Sequence, residues 1–213
     1  MDVRQISNQK KYDLAASSYD LIAYLMSLGQ ANRLYGEVAD CLKIPPGGTI
    51  AELGCGPASV IPSLLEKIPA NTNIIGIDFS EQMIAIANRK KEQYQWDDVH
   101  FKCMDMCEFV PEKELDAVVF CLALTAIPDS IKVLEKAVAI LKPGGQLLIL
   151  DSIPLCSRWY HPFANVYISA KSMIVGAKPN RSILDYITDN LVNVTVNERV
   201  VGVYTLISAF KAN

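Results

Sequence analysis

The sequence is poor in histidine, in net charge and in long apolar runs. Its 213 residues include two histidines and carry a formal net charge of -3. We therefore expect neither a histidine-rich metal centre nor the basic surface that binds nucleic acid. No run of about 18 apolar residues is present, and the first residues, MDVRQISNQKKYDL, lack the apolar stretch of a secretory signal. These absences predict a cytoplasmic protein.

Cysteine occurs six times, but its distribution does not indicate a disulfide framework. The cysteines fall in predicted strands, helices and a glycine-rich turn rather than in closely paired positions. Cys103 and Cys107 are separated by three residues, and the two histidines are too few to complete a zinc site with them. We therefore predict reduced thiols and no metal site.

Apolar runs of strand length alternate with helical patterns between residues 49 and 152. The predicted strands are 49–53, 73–78, 99–103, 115–122 and 146–152, and the predicted helices among them are 58–67, 80–92 and 129–141. Two more strands, 192–200 and 203–210, turn at Gly202 and predict a terminal hairpin. Repeated strand–helix–strand units form parallel sheets. We predict one α/β domain over 1–213, with a Rossmann-like, mostly parallel seven-stranded sheet, an antiparallel last strand and helices on both faces.

Two segments fall outside this alternation. Residues 17–41 have apolar residues at helical spacing on both sides of Gly29, which predicts two helices within an amino-terminal helical segment, 1–42. Residues 153–190 begin with an aromatic, proline-containing stretch and continue as a long helix and a shorter one, 182–190. We expect 153–190 to be an insert on the substrate side of the domain.

The stretch 49–60, TIAELGCGPASV, predicts a strand, a glycine turn and the start of a helix. Gly54 and Gly56 let the backbone approach a ligand closely, and the start of a helix presents free N–H groups to that ligand. Asp78 ends the next predicted strand, where a carboxylate can bind ribose hydroxyls. Together these features predict a nucleotide site.

Two residues bear on which nucleotide is bound. A dinucleotide fingerprint requires a third glycine at the position of Ser59. Glu52, two residues before the first glycine, would repel a pyrophosphate but suits a ligand with a cationic or amine group. A nicotinamide-dependent dehydrogenase is therefore disfavoured, although it stays an alternative.

With these features the chain resembles the class I S-adenosyl-L-methionine-dependent methyltransferases. The first motif of that family, acid-x-Gly-x-Gly-x-Gly, matches ELGCGPA at 52–58, with Ala58 in place of the third glycine. The resemblance implies that Asp78 holds the ribose and that Asp105 and Met106 read the adenine. The cofactor site that it implies consists of Glu52, Gly54, Cys55, Gly56, Asp78, Phe79, Met83, Asp105, Met106, Cys121 and Leu122.

Two further stretches resemble smaller groups of methyltransferases. The pattern YDxxAxxYD, with Tyr12 and Tyr19, is similar to the amino-terminal segment of the ubiquinone/menaquinone methyltransferase-like group. It implies that both tyrosines contact the cofactor and that 1–42 acts as a lid. The stretch LALTAIPD at 122–129 more weakly resembles bacterial phospholipid and betaine-lipid N-methyltransferases.

The acceptor is predicted partly from motifs that are missing. After strand 115–122 the sequence has neither the Asn/Asp-Pro-Pro-aromatic motif of enzymes that methylate nucleic-acid amines nor the carboxylate cluster of metal-dependent catechol enzymes. We expect a small-molecule or lipid acceptor, and favour an amine of the phosphatidylethanolamine type. The alternatives are C- or O-methylation of a quinone-like acceptor and a non-catalytic subunit that binds the cofactor.

Two residues are candidates for catalysis. His161 follows Trp159 and Tyr160 and is either a general base or a structural residue. Tyr19, with those two aromatic residues, could hold an ammonium group by cation–π attraction, although core packing explains each of them equally well. The helix near 163–174 is either an element that contacts a membrane peripherally or a helix that packs over the sheet.

Overall fold

The fold is organised around a seven-stranded sheet. The computed structural model describes residues 24–25, 27–175 and 180–213, so the predictions for Tyr12, Tyr19 and most of the lid lie outside the described residues. The strands are β1 (Thr49–Leu53), β2 (Asn73–Asp78), β3 (Val99–Cys103), β4 (Leu115–Cys121), β5 (Leu141–Asp151), β6 (Val192–Arg199) and β7 (Tyr204–Phe210).

The strand order is β3-β2-β1-β4-β5-β7-β6. Strands β1 to β5 are parallel, and β7 is antiparallel to both of its neighbours, β5 and β6. The prediction of a mostly parallel sheet with an antiparallel last strand is therefore confirmed. The central strand β4 is almost entirely buried, as its apolar run predicts for a strand covered on both faces.

Helices cover both faces of the sheet, as predicted. They are α1 (Ala31–Cys41), α2 (Ile61–Lys67), α3 (Glu81–Tyr94), α4 (Ser130–Ala139), α5 (His161–Val175) and α6 (Ser182–Asn190). One core contains residues of α1, α2 and α5, and the other contains residues of α4 and α6. Ser80 caps α3 by accepting the N–H of Met83, which its sequence position predicted. Within the described residues, no helix has the length and apolar character needed to span a bilayer.

Two element boundaries differ from the prediction. Helix α2 begins at Ile61 rather than at Ala58, because Ala58 has a left-handed φ of 62° that no helix can include. Helix α4 ends at Ala139, and the KPGG stretch at 142–145 lies inside the span of β5 instead of forming a separate turn. The pairing of β4 with β5 shifts register there, so these glycines form an irregularity within a strand.

Helix α5 presents polar residues to the interior and apolar residues to the solvent. Its buried polar residues are His161, Lys171 and Ser172. Its most exposed apolar residues are Phe163, Val166 and Met173. Ala164 and Ile168 of the inner face share a core with Tyr204 of β7, so this helix packs over the sheet.

Candidate active site

A cleft of about 330 Å³ lies at the carboxyl ends of the parallel strands, where open α/β sheets bind their ligands. Eight of the predicted cofactor residues line it: Gly54, Gly56, Asp78, Phe79, Met83, Asp105, Met106 and Leu122. A second group of lining residues was not predicted: Cys107, after β3, and, on the β4 side beside Ala123, the residues Ala126, Ile127, Pro128, Asp129, Lys132 and Val133. The order of the strands thus brings four separate turns to one cavity.

Gly54 is the point where two of these turns approach most closely. Its φ is 77°, and a Cβ atom placed on it would lie 2.5 Å from the Cβ atom of Ala123. The N–H groups of Gly54 and Cys55 both donate to the carbonyl of Ile77, at 2.8 and 3.0 Å, which ties the turn to the end of β2. The glycine is therefore required both by its backbone conformation and by the space around it.

Asp78 connects the glycine turn to helix α3. One of its carboxylate oxygens accepts the N–H of Gly56 at 2.8 Å, and the other accepts the N–H of Ser80 at 2.9 Å. Asp105 has a comparable local role, since it accepts the N–H of Cys107 at 2.9 Å and caps a short 3-10 turn. Both carboxylates are therefore held in place by backbone donors at the edge of the cleft.

Glu52 lies buried on β1 next to the glycine turn, and it is not itself among the residues that line the cleft. It is 2% exposed, and its Oε2 atom has no hydrogen-bond partner among the described residues. Burial, and secondly the nearby Asp78 carboxylate, raise the pKa of Glu52 well above its usual range. A buried polar atom without a partner is unfavourable unless a ligand supplies a donor. The ammonium group of S-adenosyl-L-methionine is such a donor, so the residues present fit this cofactor.

The two predicted cysteines are buried rather than exposed to the cleft. Burial raises the pKa of the thiols of Cys55 and Cys121 well above their usual range, and Glu52 adds to both shifts. Neither thiol is among the groups that line the cavity. Any contribution of these two residues to a ligand therefore comes from their backbone.

A clamp between Asp151 and Thr125 positions the loop after β4. The two oxygens of Asp151, at the end of β5, accept the N–H of Thr125 at 2.9 Å and its hydroxyl at 2.7 Å. Burial raises the pKa of Asp151, although the bonds from Thr125 oppose that shift. Leu122, three residues earlier, is held at a left-handed φ of 57°. The sequence signal for this clamp is a carboxylate at a strand end, and the motif-based prediction of the site did not include it.

His161 lies away from the residues that line the cleft. It is 1% exposed, its Nδ1 atom accepts the N–H of Arg158 at 3.1 Å, and its Nε2 atom is 2.8 Å from Glu198. Glu198 also accepts the hydroxyl of Tyr160 and pairs with Arg158 at 3.0 Å. This network joins the start of α5 to β6. A general-base role for His161 stays a prediction that its location does not favour.

We expect His161→Ala to destabilise the protein by about 2–4 kcal/mol, because it leaves a cavity and unpaired polar groups. Methyl-transfer activity per folded molecule should stay within about threefold of the wild type, since the ring does not line the cleft. Denaturant unfolding and steady-state kinetics on the folded fraction measure the two effects. A loss of kcat in a variant that is fully folded would instead identify His161 as a base.

The fold is shared with solved methyltransferase structures. A chain of the complex between the Haloferax volcanii Trm112 methyltransferase activator and a methyltransferase superposes with a TM-score of 0.70 at 17% identity, covering 95% of this chain and 98% of that one. The geranyl diphosphate C-methyltransferase from Streptomyces coelicolor, solved with S-adenosyl-L-homocysteine, has a TM-score of 0.69 at 15% identity, covering 85% and 76%.

The sequence comparison identifies the family. Residues 1–176 match the model of the ubiE/COQ5 methyltransferase family. The chain is 28% identical over 136 residues to a demethylmenaquinone methyltransferase of Bacillus licheniformis, an alignment that spans 63% of this chain and 58% of the relative. It is 23% identical over 187 residues to the ubiquinone/menaquinone biosynthesis C-methyltransferase UbiE of Geotalea daltonii, covering 86% and 80%. The chain therefore belongs to the ubiE/COQ5 methyltransferase family and uses S-adenosyl-L-methionine as its methyl donor.

Proposed function

We propose that this protein transfers the methyl group of S-adenosyl-L-methionine to a ring carbon of a quinol-type acceptor. The observation that carries the proposal is the family match over 1–176, which includes every residue that lines the cleft. One relative is named as a demethylmenaquinone methyltransferase, and another as a ubiquinone/menaquinone biosynthesis C-methyltransferase. These findings favour a quinone-like acceptor, the alternative that the sequence left open, over the amine of a lipid headgroup.

The preference for an amine acceptor rested on the stretch 122–129, and the structure explains why that stretch was misleading. Six of its residues line the cleft that also contains the predicted cofactor residues: Leu122, Ala123, Ala126, Ile127, Pro128 and Asp129. Its pattern can follow from a place in the wall of this cleft, and it does not by itself favour an amine over a quinone-like acceptor.

The residues of the chain have two tasks in the proposed reaction. The bound cofactor supplies an electrophilic methyl group on a sulfonium, and the chain holds it through the carboxylates of Glu52, Asp78 and Asp105. The loop held by Thr125 forms the opposite wall and excludes water. Alignment of the acceptor carbon with the methyl group is the larger contribution, since orientation of two reactants is worth roughly 7–11 kcal/mol.

The proposal is tested by offering three acceptors with a methyl-labelled cofactor. We expect label in 1,4-dihydroxynaphthalene, kept under reducing conditions, and none in phosphatidylethanolamine vesicles or ethanolamine. The product should carry the methyl group on carbon, which carbon-13 NMR distinguishes from a methyl ether by its chemical shift.

The acceptor that becomes labelled distinguishes C-methylation from N-methylation, O-methylation and a non-catalytic role. Label only in phosphatidylethanolamine or ethanolamine would overturn the proposal in favour of N-methylation, and a methyl ether would indicate O-methylation. Binding of S-adenosylhomocysteine without turnover of any acceptor would favour the non-catalytic alternative. The Lys136→Met variant, altered at an exposed position of α4, serves as the matched control for the preparation.

A further inference from the structure

Among the residues that the structure describes, Lys171 is a buried cation without a hydrogen-bonded counter-ion. It is 9% exposed, and its Nζ atom lies 3.8 Å from the centre of the Tyr204 ring. Within the described part of the chain its ammonium group donates no hydrogen bond and forms no salt bridge, and the cation–π contact is its one direct polar partner. Buried lysines are normally paired, because removal of an ammonium group from water is costly. Such an arrangement points to a ligand that completes it.

Two groups act directly on Lys171: Asp151 at the end of β5 and Tyr204 at the start of β7. Cys121 at the end of β4 and Tyr167 one turn earlier on α5 act in turn on Tyr204. Both oxygens of Asp151 already accept hydrogen bonds from Thr125 and Ser152. Burial lowers the pKa of Lys171 to about 8, and Asp151 opposes the shift. At neutral pH Lys171 is thus mostly a poorly hydrated ammonium group, which suits an anionic oxygen.

Lys171 does not line the donor cleft itself, but the ends of β4 and β5 link it to the wall of that cleft. The Glu52 and Asp151 carboxylates both raise the pKa of the Cys121 thiol. Cys121 is followed directly by Leu122 and Ala123, which lie in the wall of that cleft. Asp151 interacts with Lys171 and clamps Thr125, whose neighbour Ala126 also lines the cleft. The ends of β4 and β5 therefore connect the donor cleft to Lys171.

We propose that Lys171 binds the ionised hydroxyl oxygen of the aromatic acceptor. The hydroxyl proton passes to water when the acceptor binds, and the negative charge stays on the oxygen beside the ammonium group. An aromatic ring with an ionised hydroxyl is electron-rich at the adjacent carbon, which forms the bond to the methyl group as the bond between sulfur and that methyl group breaks. The same carbon then loses its proton to water, which restores the aromatic ring. This inference rests on the proposed function and names the residue that selects an acidic hydroxyl over an amine.

A binding measurement tests the proposal without turnover. With S-adenosylhomocysteine present, para-nitrophenol bound to the wild type should ionise more readily than in free solution. Its visible phenolate absorbance at about pH 5, well below its pKa in either state, should be nearly tenfold higher per bound molecule, which corresponds to a fall of one pKa unit. Lys171→Met should abolish this gain, Lys171→Arg should keep it, and the exposed-site control Lys136→Met should leave it unchanged. No gain in the wild type, or an equal gain in Lys171→Met, overturns the proposal.

Kinetics with 1,4-dihydroxynaphthalene provide the second readout. Lys171→Met should lower kcat/KM about 100-fold or more, the usual effect of removing one group that stabilises an oxygen anion. For the wild type, kcat/KM should fall above about pH 8 as Lys171 loses its proton. Lys171→Arg should extend the profile to higher pH, because a guanidinium stays charged there.

Failure of this inference is distinguishable from failure of the proposed function. If the wild type methylates the diol on carbon and Lys171→Met has the same pH profile and rate, the proposed function stands and Lys171 has no part in it. If the wild type methylates only an amine acceptor, the proposed function fails, and the para-nitrophenol measurement still decides whether Lys171 binds an ionised hydroxyl.

Discussion

Gly54→Ala is expected to weaken the binding of S-adenosylhomocysteine by about 100-fold or more, which corresponds to about 2.7 kcal/mol. The added Cβ atom would lie 2.5 Å from the Cβ atom of Ala123, and alanine is strained at a φ of 77°. Ala123 has little freedom to move aside, because the N–H of the preceding Leu122 donates to the carbonyl of Leu150 at 2.8 Å. The two turns would separate and the cleft would change shape.

Gly36→Ala is the matched control for this substitution. Gly36 lies within α1, and a Cβ atom placed on it meets no atom within 4 Å. Alanine should therefore leave cofactor binding unchanged and stabilise the helix by about 0.5–1 kcal/mol. Titration calorimetry measures the two affinities, and circular dichroism verifies that both variants are folded. Equal affinity of Gly54→Ala and the wild type would contradict the close-approach argument.

Lys171→Met is expected to stabilise the protein while it removes activity. The pKa of Lys171 is lower in the folded protein, about 8, than its ordinary value of 10.5. Below pH 8 both folded and unfolded chains carry the proton, and the folded chain keeps an unfavourable buried charge of about 3 kcal/mol. Loss of the cation–π contact with Tyr204 offsets part of that gain. We expect a net increase of about 1–2 kcal/mol in the free energy of unfolding at pH 7.

The stabilising effect of Lys171→Met should become smaller as the pH rises. Between pH 8 and 10.5 the unfolded chain binds a proton at this lysine that the folded chain has released, so the unfolding free energy of the wild type rises with pH. The difference between Lys171→Met and the wild type should therefore shrink as pH rises from 7 to about 9.5. Urea unfolding at several pH values measures it, with Lys136→Met as control. A destabilised Lys171→Met variant at pH 7 would show that the lysine is there for structure.

The donor side of the site could be predicted because it depends on local order in the chain. A glycine turn after β1 and a carboxylate at the end of β2 share one edge of the sheet whenever the strands are parallel. Glu52, Asp78 and Asp105 each follow or end a strand that the apolar pattern located correctly. The strand order then brings these three carboxylates to the same edge of the sheet.

The acceptor side could not be predicted in the same way. Apolar residues at helical spacing usually mark the buried face of a helix, and Phe163, Val166 and Ala170 of α5 have that spacing but are exposed. The face that packs inward combines polar Lys171 with apolar Ala164 and Ile168. The bond between Thr125 and Asp151 spans 26 residues and leaves no periodic signal. A long-range contact between two single polar groups can be recognised only after the order of the strands is known.

The position of β7 sets the order in which the sheet can be completed. Strand β6 is made before β7, yet it joins the sheet only through β7, which inserts between β5 and β6. Until β7 is in place, β6 has no partner, and its outward Val192 and Val196 are free to contact other chains. The last assembly step is the entry of one strand that pairs along both of its edges at once. We expect the amides of β6 and β7 to gain protection from hydrogen exchange together, at the end of folding.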